Sequence, residues 1–287
     1  MNSQAASPDA PKSLTPAQWI RFLLLSLILP SILLLCGGDA RWWQAWAYAV
    51  ILVVMTVGGR AWAGLRNPGL LAERATAGGG QNVKPWDKVL SPLMALGSSI
   101  PLYIVAGLDH RFAWSPAFPT WLTVLGLGLV VLGYAFSTWA MVENRFFSGV
   151  VRIQSDRGHT VCNTGPYRIV RHPGYAGNFL ALPGIVLALA SLWTLIPAVI
   201  ALVITVVRTA LEDQTLQEEL PGYRDYVQRT RYRLIPSFLT ITLSRLPMLW
   251  RLSGCGCCVF TFFPRCVETT SRLPSNRSCR STWHAAG

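Results

Sequence analysis

Gly165-Pro166-Tyr167-Arg168-Ile169-Val170-Arg171-His172-Pro173-Gly174-Tyr175-Ala176-Gly177 runs directly into an apolar stretch that carries no charge until Arg208. The two prolines deny helix just upstream of the apolar run, since each lacks an N–H and biases its predecessor toward extended geometry. The glycines allow close approach of backbone to a ligand. Arg, His and Tyr at a membrane entrance also serve as interfacial anchors, so residue types alone leave anchor and binding site both open. As one helix, Tyr175–Val207 would be about 50 Å long, against a hydrocarbon core of roughly 30 Å. A break near Ser191 and Trp193, with Pro183 and Pro197 on either side, predicts a helical hairpin.

The rest of the chain sets the class. Of 287 residues, 52% are hydrophobic and only 13% charged, with 12 Trp and a mean hydropathy of +0.38. A soluble domain carries about twice that charged fraction. The expected fold is all-α: a polytopic integral-membrane bundle with a cytoplasmic cofactor pocket built by the C-terminal loops and helices. The net charge of +12 fits basic loops held at an anionic lipid surface. There is no aromatic-interleaved basic stripe of the kind single-stranded nucleic acid needs. Membrane lipids are the expected partners, and nucleic acid is not.

Residues 1–18 read as a disordered lead. Trp19–Cys36 is too long for a signal-peptide core and has no small-residue cleavage pattern behind it, which predicts a retained anchor. Trp42–Val57 follows, entered through Trp42-Trp43-x-x-Trp46; then come a polar loop Gly58–Lys88 and a third span, Val89–Leu108, holding Pro92 and Pro101. Trp121–Val142 is the fourth span. Its Gly126-x-Gly128 and Gly133 lack the preceding strand of a dinucleotide fingerprint and suit close helix packing instead. With the hairpin, about six membrane segments are expected. Gly78-Gly79-Gly80 reads as a linker, and Asp109-His110-Arg111 as a solvated turn.

An N-terminus inside places Arg60, Arg66, Arg74, Lys84 and Lys88 in one inner loop and Arg145, Arg152, Arg157, Arg168 and Arg171 in the next. The outer loops keep Arg41 and Arg111. Both termini are therefore expected in the cytoplasm, at the inner membrane in a bacterium. Beyond Val207, Arg208, Glu212, Thr215 and Glu219 share one helical face. Pro221-Gly222 interrupts the helix before Tyr223–Tyr232. Arg208 and Glu212 at i, i+4 could be an ordinary ion pair. An ionisable residue at the end of an apolar span also points to function: a cation for an anionic head group, a carboxylate one turn on for a hydroxyl or ammonium.

Asn144-x-Phe146-Phe147, Gln154, His159-Thr160-Val161, Gly165-x-Tyr167, Arg171-His172-Pro173-x-Tyr175-x-Gly177, Arg208-x-x-x-Glu212-Asp213-x-x-Leu216 and Gly222-Tyr223-x-x-Tyr226 together resemble the isoprenylcysteine carboxyl methyltransferase family. The resemblance runs from about Val142 to Pro236. Asn67-Pro68-x-Leu70-Leu71-Ala72-Glu73-Arg74 resembles its bacterial branch. The resemblance implies methyl transfer from S-adenosylmethionine without a Rossmann domain. It implies cofactor contacts from Gln154, His159, Thr160, Val161, Cys162, Tyr167, Arg171, His172, Pro173, Gly174, Tyr175 and Glu212. It further implies that Arg208 and Glu212 serve the reaction, that Arg208 and Asn144 hold the acceptor, and that no metal takes part. The acceptor would be a lipophilic small molecule or lipidated substrate from the bilayer.

The expected units are thus 1–18, a four-span region 19–142, a methyltransferase core 143–236 and an atypical tail 237–287. In the tail, Cys255, Cys257, Cys258, Cys266 and Cys279 lack the paired spacing of a zinc site. Competing readings are a phospholipid or amine N-methyltransferase, a membrane sterol or enone reductase using NADPH through Arg229, Arg231 and Arg233, and a non-catalytic scaffold.

Overall fold

The computed structural model describes residues 15–76 and 82–235. The tail and nearly all of the lead therefore lie outside the described residues. The described chain is helical. The helices are α1 (Pro16–Gly37), α2 (Trp43–Arg66), α3 (Pro68–Thr76), α4 (Asp87–Pro92), α5 (Ser99–Phe112), α6 (Thr120–Glu143), α7 (Pro173–Ala188), α8 (Leu195–Glu219) and α9 (Tyr223–Arg229). A π-helical turn, Leu93–Gly97, joins α4 to α5. Counting α4 to α5 as one, five helices among the described residues are long and apolar enough to cross a membrane. Their outward residues are apolar and uncovered, Leu35, Leu65, Val89 and Trp121 among them. This is the architecture of a polytopic helical membrane protein. With 16 residues, α7 is shorter than a full span at 1.5 Å per residue.

Several boundaries follow from local chemistry. Thr15 and Gln18 form a reciprocal capping box that starts α1. Pro197 falls in the first turn of α8, where the missing N–H has no helical acceptor to lose. The hairpin breaks at 189–194, as the apolar run predicted. Two expectations need correction. The loop from Gly58 is instead the last turns of α2, followed by α3. Gly59 stays helical and lies so close to Thr138 of α6 that a Cβ there would come within 2.7 Å of its hydroxyl. Asp109 is not a solvated turn residue. It is buried, accepts from the Ser115 amide at 2.7 Å and hydroxyl at 2.6 Å, and also takes the Ser191 hydroxyl. That network ties the end of α5 to the α7–α8 turn.

The bundle is closed by a seam between α6 and α7. A Cβ on Gly133 would meet the Gly177 carbonyl at 2.5 Å, and one on Gly126 would meet the Ala188 nitrogen at 2.4 Å. The seam is backbone against backbone, and only small residues allow it. Gly128 faces open space. A second knot is apolar outside and polar within: the Tyr48 hydroxyl meets those of Tyr103 at 2.7 Å and Tyr134 at 3.2 Å, joining α2, α5 and α6. Gly133→Leu is expected to lower the thermal midpoint sharply, overpacking costing about 1–3 kcal/mol or more, while Gly128→Leu leaves it nearly unchanged. Thermal unfolding of the two variants in one detergent checks this.

Candidate functional site

The chain between α6 and α7 forms the site. Asn144 ends α6: its Oδ1 accepts from the Phe146 amide at 2.9 Å, and its Nδ2 donates to the Tyr167 hydroxyl at 3.2 Å. Gln154 is buried, donates to the Phe146 carbonyl at 2.8 Å and accepts from Arg157 at 2.5 Å. Both side chains therefore brace the loop. His159 lies 4.5 Å from Phe146, ring centre to ring centre. Burial, then the positive charges of Arg152, Arg157 and Arg145, push its imidazole down to about 4, so it is neutral at pH 7. Gly165 takes the left-handed conformation (φ 52°), which a Cβ would strain, and starts the turn that buries Tyr167. The Tyr167 carbonyl receives the Tyr226 hydroxyl at 2.6 Å, fastening α9 beneath the loop.

Glu212 and Asp213 are neighbours on α8, and the 100° step between them sends them to different tasks. Asp213 is fully buried. It meets His172 Nε2 at 3.2 Å, accepts from Arg233 at 2.9 Å and the Tyr223 hydroxyl at 3.1 Å, and has the Arg171 guanidinium at 3.3 Å. The backbone amides of Arg171 and His172 also bond the carbonyls of Tyr232 and Arg233 at 2.9 and 3.0 Å. Glu212 faces the cavity and accepts from the Tyr175 hydroxyl at 2.6 Å.

Arg208 is engaged more deeply than the sequence indicates. It lines the cavity but makes no direct ion pair with Glu212 among the described residues. Its Nε and Nη2 reach the two oxygens of Asp87 at 2.7 and 3.0 Å, both residues buried. Nη2 also donates to the Gly149 carbonyl at 3.1 Å, and Nη1 donates to the Tyr175 hydroxyl. Asp87 has a further bond from the Val151 amide at 2.6 Å. Arg208, Tyr175 and Glu212 thus form a chain that starts at a carboxylate the sequence reading passed over.

These residues surround one cavity of about 480 Å³. Asn144, Gln154, His159, Thr160, Val161, Cys162, Tyr167, Arg171, His172, Gly174, Tyr175, Arg208 and Glu212 all line it. Pro173 does not; it is buried in the first turn of α7, where it fixes the helix start. The opposite wall was not foreseen. It comes from α2, α3 and the π-helical turn, and includes Met55, Arg60, Arg74 and Met94. Met94, Tyr134 and Asn178 also border a second recess of about 130 Å³. Arg229 and Arg231 are exposed and line neither, and Arg233 is engaged by Asp213. Among the described residues, no group of three or more His, Cys, Asp and Glu side chains is arranged to hold a metal ion.

Comparison with known proteins agrees with the motif reading. The family model for the isoprenylcysteine carboxyl methyltransferase (ICMT) family matches residues 125–218, from within α6 to the end of α8. The chain is 30% identical over 114 residues to the cobalt-zinc-cadmium resistance protein CzcN of Cupriavidus metallidurans, a match covering 39% of this chain and 50% of the relative. It is 39% identical over 54 residues to a probable protein-S-isoprenylcysteine O-methyltransferase of Oryza sativa subsp. indica, covering 18% of this chain and 28% of the rice protein. The chain thus spans half the length, or less, of these curated relatives.

Two expectations test the geometry. Asp87→Ala leaves a buried arginine without its counter-charge and is expected to cost about 3–5 kcal/mol. Thermal unfolding should show most of that loss recovered when Asp87→Leu is combined with Arg208→Met. His159 is protonated below pH about 6.5 in the unfolded chain but stays neutral in the fold down to about 4. Its contribution is complete above the first value and is lost as pH falls through the second. The drop in thermal midpoint between pH 7 and pH 5 should therefore be smaller in His159→Phe than in the wild type.

Proposed function

We propose that the protein is an integral-membrane methyltransferase that uses S-adenosylmethionine to methylate a lipophilic acceptor, the acceptor group being a carboxylate. One observation carries the reading. The segment that matches the family supplies one wall of a single cavity, while α2, α3 and the π-helical turn of the membrane bundle supply another, with Met55, Met94 and Ala95 as its apolar part. That wall and the recess beyond Met94 suit a substrate that enters with an apolar chain. The positive-inside pattern puts the cavity at the cytoplasmic end, where a soluble nucleotide-derived cofactor is available.

The residues fit the cofactor. Among the described residues the backbone amides of Thr160 and Val161 make no hydrogen bond within the protein, yet both residues line the cavity. They offer free groups to a polar heterocycle, with Leu216 and Leu220 nearby as apolar surface. Glu212 would hold a ribose hydroxyl or the ammonium group. Its position is fixed by Tyr175, and that of Tyr175 by Arg208. His172 and Arg171, held on Asp213, keep the start of α7 in place. When bound, S-adenosylmethionine supplies an electrophilic methyl group on a sulfonium. A carboxylate acceptor is already ionised at pH 7 and needs no strong base. The protein's work is then to orient the acceptor and keep water away. Arg229, Arg231 and Arg233, the basic cluster named for a nicotinamide dinucleotide, do not line the cavity.

The test is saturable binding of S-adenosylmethionine to the full chain in lipid nanodiscs. Wild type should bind, and Glu212→Ala should weaken binding by roughly tenfold, the worth of a hydrogen bond to a charged group. No binding by folded wild type would sink the methyltransferase reading and turn attention to NADPH.

A further inference from the structure

The cavity holds two arginines that no carboxylate among the described residues neutralises. Arg74 of α3 and Arg60 of α2 both line it. Among the described residues, neither has a carboxylate within 4 Å; the buried carboxylates nearby, Asp87 and Asp213, are engaged by other cations. Arg74 donates to the Phe147 carbonyl at 3.4 Å and lies over the Phe147 ring, its guanidinium carbon 5.4 Å from the centre. Its Nε is buried with no hydrogen-bond partner. Among the described residues, Arg60 donates only to the Thr56 carbonyl of its own helix, at 3.4 Å, and lies 4.5 Å over the Phe22 ring. Burial, and next the neighbouring Arg60 charge, push the Arg74 guanidinium down to about 10. A buried cation with an unmade hydrogen bond is costly unless an anion completes it. The contrast with Arg208, whose guanidinium is taken up by Asp87, Gly149 and Tyr175, is direct.

We propose that Arg74, with Arg60 beside it, receives the anionic group of the substrate, and that Arg208 instead positions Tyr175 and Glu212. The site would take an amphiphile with a carboxylate head and an apolar chain. Arg74 is well placed for this. It packs on Phe147, whose ring lies against Gly174 so tightly that a Cβ there would come within 2.8 Å. An anion at Arg74 is therefore separated from the start of α7 by one aromatic ring. The thioether side chains of Met55 and Met94 offer adaptable apolar surface on the same wall. Naming Arg74 as the acceptor's anchor rests on the methyltransferase reading; the presence of an anion site does not.

The experiment uses the full chain in zwitterionic nanodiscs, radiolabelled hexadecanoate as probe at alkaline pH where it is ionised, and hexadecanol and hexadecylamine as controls. Wild type should bind hexadecanoate saturably and at least about tenfold more tightly than either control, as expected for a charge-assisted pair. Arg74→Met should remove that preference, Arg74→Lys should keep part of it, and S-adenosylmethionine affinity should change less than about twofold in both. Arg60→Met, whose polar contact is confined to its own helix, gives an independent reading where Arg74→Met does not fold, and should weaken hexadecanoate binding severalfold. Hexadecanoate bound equally well by the wild type and by the folded Arg74 or Arg60 variants would overturn the proposal, as would a wild-type preference for the amine. If hexadecanoate binding depends on Arg74 while S-adenosylmethionine does not bind, the anion site stands and the methyltransferase reading falls.

Discussion

The site depends on one buried ion pair. Asp87, at the start of α4, holds both Nε and Nη2 of Arg208, well along α8. Two charges removed from water gain little stability unless their remaining polar atoms are also satisfied. Here they are: Val151, Gly149 and Tyr175 complete the pair. The energetic return is modest, but the geometric one is large. The pair fixes the distance between two membrane helices and pins the chain leaving α6 between them. It also orients Tyr175, and through it Glu212, the one carboxylate among the described residues that lines the cavity.

Around that pair the polar groups fall into separate sets. Asp213 gathers Arg171, His172, Arg233 and Tyr223 on the side of α8 that packs under the loops. Glu212, one residue earlier, looks into the cavity. Adjacent acidic residues thus divide between holding the fold and meeting a ligand, and helical geometry alone decides which does which. The arginines divide in the same way. Those with a carboxylate partner organise the chain, while Arg60 and Arg74 have cavity on one side and aromatic rings on the other.

Much of this could be read from the chain. The charge-free length after Tyr175 demanded a hairpin, and the break lies at 189–194. The candidate site residues from Asn144 to Glu212 were expected together, and all except Pro173 line one cavity. What escaped notice has a common physical reason. Asp87 is 121 residues from its partner, and nothing in its neighbourhood marks a lone acidic residue in a basic loop as the most buried of the cluster. Gly58-Gly59 looked like the end of a helix because glycine is a poor helix former. The structure keeps the helix because Gly59 is needed where α2 crosses α6. Asp109 beside His110 and Arg111 looked hydrated for the same kind of reason: its hydroxyl donors, Ser115 and Ser191, lie on later parts of the chain. Local pattern reports periodicity and turns well; it does not report which distant group satisfies a buried charge.

The glycine seam between α6 and α7 has a consequence for how the cavity can respond to what enters it. Where main chain lies directly on main chain, there are no rotamers to readjust, and the two helices behave as one stiff plate. The start of α7 is part of that plate, for the Ser137 hydroxyl of α6 donates to the Gly174 carbonyl at 2.8 Å. The facing wall includes long, unbranched side chains, Met55, Met94, Arg60 and Arg74, which have many low-energy shapes. The cavity therefore has a rigid side and a compliant side. Accommodation of chains of different bulk falls to the compliant one, and the geometry of the reacting groups need not change as it does so.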